Sequence, residues 1–184
     1  MAFTGYIIFY QEQAPVSYDR ALRQLFEFLD VNKAENAVLL EKAGFADEER
    51  CLGEWEDVSL ERILQDILPR RREIDCLYCW WDRHPLQERL CEEIDKALPE
   101  EIRDNWCPCL SDAVITLGPR LWDNALQDHM FTSAWSFSVH TFYGCPNDWE
   151  RAREIIRNCP TFQVIVDRLN SLFGPVKHFT YWYG

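Results

Sequence analysis

The sequence predicts an α+β fold, a single domain over residues 1–184 with one mostly antiparallel sheet and helices packed on one of its faces. Three observations carry this. Short stretches rich in aromatic and β-branched residues alternate with amphipathic stretches of helical period, and several of the former are apolar on one side only, as suits a sheet covered on one face. Proline and glycine punctuate the joins. With 184 residues, 47% hydrophobic and 14% aromatic, the chain can bury about 70% of its unfolded surface without staples.

The elements follow in order. Thr4–Gln11 (TGYIIFYQ) reads as a buried strand, and a Gln-Ala-Pro connection leads to Ser17, placed to cap a helix. That helix carries Tyr18, Ala21, Leu22, Leu25, Phe28 and Leu29 on one face, with Asp19, Arg23 and Glu27 opposite. Residues 37–40 (AVLL) predict a short strand, and Glu41–Glu61, with eight acids against Lys42 and Arg50, a long exposed connection. Ser59 begins a second helix striped by Leu60, Ile63, Leu64, Ile67 and Leu68 and stopped by Pro69. Ile74–Trp81 (IDCLYCWW) is the next strand. His84-Pro85 places proline at a first helical position, with Leu86, Leu90, Ile94, Ala97 and Leu98 facing inward. Pro99 opens a further turn or short helix through Trp106, and Asp112–Leu117 predicts a strand ended by Gly118-Pro119.

The clearest alternation is Ala134–Tyr143, with Trp135, Phe137, Val139, Thr141 and Tyr143 against Ser136, Ser138, His140 and Phe142. A helix then carries Trp149, Ala152, Ile155 and Ile156, restarts at Pro160 through Phe162, Ile165, Val166, Leu169, Leu172 and Phe173, and ends at Gly174-Pro175. Val176–Tyr183 closes the chain as an aromatic strand. The pairing of IIFY with Tyr18-Asp19-Arg20-Ala21, and of HTFY with Trp149-Glu150-Arg151-Ala152, hints at an internal duplication.

Charge excludes some partners. Residues 1–150 hold 14 basic and 29 acidic side chains, net −15, whereas residues 151–184 hold 5 and 2, net +3. Such a surface repels phosphate backbones and anionic membranes, and Arg70-Arg71-Arg72 is too short a cluster to change that. Nucleic acid and membrane are therefore not expected partners, and a basic protein is. The start Met1-Ala2-Phe3-Thr4 lacks the pattern of a secretion signal, so a soluble cytoplasmic protein is expected.

Eight cysteines in such a chain argue for thiols or metal rather than disulfides. Cys76, Cys79, Cys107 and Cys109 have near-ligand spacing and form the zinc or redox alternative. The first pair falls in a strand, where positions 76 and 79 face opposite sides, which favours buried inert thiols. The four histidines, 84, 129, 140 and 178, are the natural acid-base candidates. The sequence contains no nucleophile elbow, phosphate loop, paired-histidine helix or glycine-rich dinucleotide turn. Neither enzyme activity nor a cofactor is expected.

A small, acidic, aromatic-rich α+β chain without an active-site signature resembles the immunity proteins that bacteria keep beside polymorphic or secreted toxins. The resemblance lies in size, charge and plan. It implies binding and neutralisation of one cognate toxin or effector, commonly a cationic enzyme. The expected partner-binding residues are Glu48, Glu49, Glu54, Trp55, Glu56 and Asp57, where a large aromatic is framed by acids, together with Trp182 in the terminal aromatic run. The rival readings are a small thiol- or zinc-dependent enzyme, and a homo-oligomeric scaffold subunit.

Overall fold

The computed structural model describes residues 3–11, 17–42, 49–51, 56–70, 75–103, 106–107, 112–122, 131–144 and 149–183, some strand ends by their backbone alone. In chain order the elements are β1 (Phe3–Gln11), α1 (Tyr18–Leu29), β2 (Lys33–Lys42), β3 (Glu49–Cys51), β4 (Glu56–Ser59), α2 (Leu60–Arg62), β5 (Asp75–Asp82), α3 (Pro85–Ala97), α4 (Glu100–Arg103), β6 (Trp106–Cys107), β7 (Asp112–Trp122), β8 (Phe131–Gly144), α5 (Trp149–Asn158), α6 (Pro160–Phe173) and β9 (Lys177–Tyr183). The fold is α+β. Its sheet has the strand order β3-β2-β5-β7-β8-β1-β9, with β4 also paired to β2 and β6 to β8. The pairings of β2 with β3, β4 and β5, and of β6 with β8, are antiparallel.

The chain divides into two compact units, each discontinuous in sequence. One comprises Met1–Phe9, Asp82–Ala113 and Ser138–Gly184, the other Tyr10–Trp81 and Val114–Phe137. Strands β1 and β8 contribute residues to both.

In the second unit, α1 buries Ala21, Leu22, Leu25, Phe26, Phe28 and Leu29 and leaves Asp19, Arg23 and Glu27 exposed. Phe26 meets Trp81 of β5 edge-on with ring centres 5.3 Å apart, and Phe28 meets Phe137 of β8 at 5.1 Å. Each such burial contributes about 2 kcal/mol. Ser17 makes no side-chain cap bond. The helix stops at Asp30, whose left-handed backbone (φ 59°) turns its N–H back to the carbonyls of Phe26 and Glu27. Asp tolerates that region because its side chain is short.

Several expectations are corrected. The short strand at 37–40 is the middle of a ten-residue β2, because β5 pairs along residues 36–41 and extends it. The connection over 41–61 is partly sheet: β3 and β4 both pair with β2. Acidic residues still form strand there, since alternation needs only one buried side. Val58 is 1% exposed and Asp57 is exposed. The helix after Ser59 begins as expected, Ser59 Oγ accepting from the Arg62 N–H at 3.3 Å. It then widens into a π-helical turn over Ile63–Ile67 and tightens into a 3₁₀ turn over Leu68–Arg70 that accommodates Pro69, while Ile63, Leu64, Ile67 and Leu68 stay buried. Strand β7 runs through Gly118-Pro119 to Trp122, because the φ of proline suits extended backbone and the strand forfeits one donor.

Within the second unit the sheet is apolar on both faces. The β2–β5 register sets Ala37, Leu39, Leu77 and Cys79 on one side. Val38 and Tyr78 lie on the other, buried, with Trp80 and Val114 packed beside them. The polar side of β8 is no exception to burial: Ser136 in this unit is 0% exposed, and Ser138 and His140 in the first unit are 6% and 5% exposed. Among the described residues the Ser136 hydroxyl finds no hydrogen-bond partner.

In the first unit, α3, α5 and α6 pack on one another. Helix α6 reaches β1 through Phe162, whose ring lies 5.6 Å from that of Phe9. Helix α3 is capped by a side chain not assigned that role from the sequence, His84 Nδ1 accepting from the Leu86 N–H at 3.1 Å, with Pro85 at the first helical position. Its buried face is turned from the one expected: Gln87, Leu90, Cys91 and Ile94 are buried, while Leu86 is half-buried and Ala97 exposed. The reason is polar. The Gln87 amide and the Cys91 thiol each donate to the His140 carbonyl of β8, at 3.3 and 3.5 Å, so both tolerate burial. On β8, Thr141 donates to the Gly5 carbonyl at 3.2 Å, and His140 stacks on Tyr6 with ring centres 4.8 Å apart. The helical segment over 148–173 is two helices that part at Cys159, with the restart at Pro160 that the sequence predicts. Gly174 (φ 79°) closes the second as expected.

Candidate partner-binding surface

Of the acidic candidates, Glu49, Glu56 and Asp57 belong to the second unit, on the strands that flank β2 opposite β5. Glu49 lies on β3 across from Lys42, and Arg50 across from Glu41, so two of the three backbone pairs in this short ladder match an acidic with a basic residue. Glu56 of β4 lies across from Ala37. Asp57 is exposed, and its carboxylate accepts from Lys33 Nζ at 2.7 Å. That bond, and then the carboxylate's charge, raise the Lys33 pKa. The backbone of Lys33 is held in turn by the Trp81 indole N–H, which donates to its carbonyl at 2.7 Å. A second exposed pair, Arg23 with Glu61 at 3.1 Å, ties α1 to α2.

The structure thus brings Glu49, Glu56 and Asp57 to strands paired with β2, and it answers the charge of Asp57 from within the chain. Glu48, Glu54 and Trp55 lie outside the described residues. Trp182 lies on β9, in the first unit, and is not part of this group.

The cysteines of the metal alternative are dispersed. Cys76 and Cys79 lie on β5 across from Leu40 and Ala37. Cys79 is a free, fully buried thiol whose ionisation is pushed far up by desolvation. Cys107 lies on β6 across from Tyr143, in the other unit, and Cys109 is outside the described residues. Among the described residues no group of three or more His, Cys, Asp or Glu side chains could hold a metal ion.

Sequence reasoning missed a junction where α3, α5 and α6 meet. The Glu93 carboxylate of α3 accepts from the Thr161 N–H at 2.8 Å and from its hydroxyl at 2.6 Å, so one helix caps the next from across the packing. Beside it opens a cleft of about 470 Å³, walled by Lys96, Ala97, Ile155, Asn158 and Pro160. Cys159 is buried at its floor, its thiol raised to about 11 by burial and by the Glu93 charge. The Cys-Pro-Thr start of α6 was the available signal, but which carboxylate would reach it depends on tertiary packing.

No protein-family model, curated protein or solved structure matches the chain. Among the described residues no helix is long and apolar enough to cross a membrane.

Proposed function

We propose that this chain is an immunity-type binding protein that neutralises a cognate basic bacterial toxin or effector through an acidic, aromatic surface. The observation that carries the reading is the placing of the acids: residues 1–150 carry net −15, and Glu49, Glu56 and Asp57 belong to strands paired with β2. Charge at such a rim accelerates encounter with a cationic partner, whereas an anchored aromatic slows dissociation. Because Lys33 already engages Asp57, that carboxylate contributes less to the steering than an unpaired one would.

The test is surface plasmon resonance against a candidate basic partner at two salt concentrations. Replacing Glu54, Glu56 and Asp57 by Ala should slow association and flatten its salt dependence, while Asp57→Ala alone should change it little. Trp55→Ala should raise the dissociation rate, costing about 2 kcal/mol. Variants that melt normally and bind with unchanged kinetics would remove this surface from consideration.

A further inference from the structure

His178 occupies an unusual place for a side chain that changes charge near neutral pH. It is the second residue of β9, the last strand in the sheet order. Its imidazole is half-buried against two phenyl rings that also meet each other, perpendicular to Phe162 of α6 with centres 5.1 Å apart and 6.0 Å from Phe9 of β1. The path into the strand is pinned by uncharged bonds: the Gly174 N–H donates to the Asn170 carbonyl at 2.9 Å, and the Val176 N–H to Asn170 Oδ1 at 2.8 Å. Those bonds do not respond to pH between 5 and 8. The imidazole beyond them does.

We infer that His178 is an acid-sensitive latch: taking up a proton, it loosens β9 from β1 and α6 while the helices of the first unit stay folded. The apolar cage is suited to a neutral ring and would have to hold a cation. The charged groups on the packed elements do not offset that cost. Arg157 of α5 acts on the ring with the wrong sign, disfavouring the imidazolium. Asp167 and Arg168 of α6 are exposed, as is Lys177 beside it on β9. Strand β1 has no charged residue, its titratable side chains being Tyr6 and Tyr10. Burial first and Arg157 second hold the proton affinity of the docked ring below its ordinary value of 6.5.

The direction follows by linkage. The released strand, with an ordinary imidazole, binds the proton first, so docking is at full strength above about pH 7 and weakens as pH falls through 6.5. One unit of difference in proton affinity corresponds to a tenfold change in the docking equilibrium.

Hydrogen exchange of the full chain at about pH 7.5 and 5.5, corrected for intrinsic rates, reads the effect strand by strand. The β9 amides should lose protection at the lower pH relative to those of α6. His178→Phe, which fills the cage and cannot ionise, should show no such loss. Unchanged protection in the native chain, or the same loss in the Phe variant, overturns the inference. Should that variant not fold, an NMR titration of the native imidazole decides alone. A midpoint below 6.5 with concurrent shifts in β9 amides supports the latch, and a midpoint at or above it refutes it.

Discussion

At the scale of single residues, burial sets the chemistry of the thiols. Cys79 sits fully buried on β5, and the thiolate that any electrophile needs is disfavoured there by loss of hydration. Cys159 is raised to about 11 for the same reason, reinforced by Glu93, and its thiol donates to the Ile155 carbonyl at 3.3 Å. Both should therefore resist iodoacetamide in the native protein near pH 8 and react on unfolding, as peptide mapping would register. Rapid native labelling of Cys79 would mean that β5 opens readily. The sign for stability is also fixed. Unfolded thiols ionise first, so stability is undiminished below the ordinary value of 9.0 and falls as pH rises from there, for Cys159 through about 11.

At the scale of elements, cap geometry separates two serines that look alike in sequence. Ser59 Oγ accepts a backbone N–H at 3.3 Å, whereas Ser17 makes no side-chain cap bond. Ser59→Ala should cost about 1 kcal/mol in urea unfolding and Ser17→Ala only a few tenths. Equal losses would show that the Ser59 bond adds nothing. The two serines also mark what was legible. Helix positions followed from local chemistry: the stripe of α1, Pro85 opening α3 and Gly174 closing α6 are all readable within a few residues. Strand extents were less so, because β2 gains residues from β5 and the short β3 and β4 pair with β2 from a stretch without apolar alternation. The inward turn of Gln87 and Cys91 was illegible for a related reason, since it depends on a carbonyl of β8 that lies 53 residues from Gln87. Of the candidate surface, the acids could be read as a group but not their internal partners. Lys33 lies 24 residues from Asp57, and Arg23 lies 38 from Glu61.

At the scale of the whole molecule, the discontinuity of each unit decides what can fold alone. The second unit takes its first segment, Tyr10–Trp81, and completes its core with Val114–Phe137. The later segment supplies Ile115, Leu117, Trp135 and Phe137, each at most 1% exposed. Phe137 is the partner of Phe28, and the Trp135 indole donates to Gln11 at 3.3 Å. Removing the later segment would uncover the rings and strand edges that these side chains and β7 cover, at a cost of about 3–5 kcal/mol for each large aromatic lost. That exceeds what a domain of ordinary stability can absorb, since the whole margin is about 5–15 kcal/mol. Residues 10–81 expressed alone should therefore show a disordered circular-dichroism spectrum and no cooperative melt, although they contain β2–β5 and α1 complete. Supplying 114–137 as a separate peptide should restore little, because its strands must also be held in register by the chain on either side. A cooperative melt from residues 10–81 by themselves would establish that the β2–β5 ladder and α1 suffice as a core, and that β7 and β8 are additions to it.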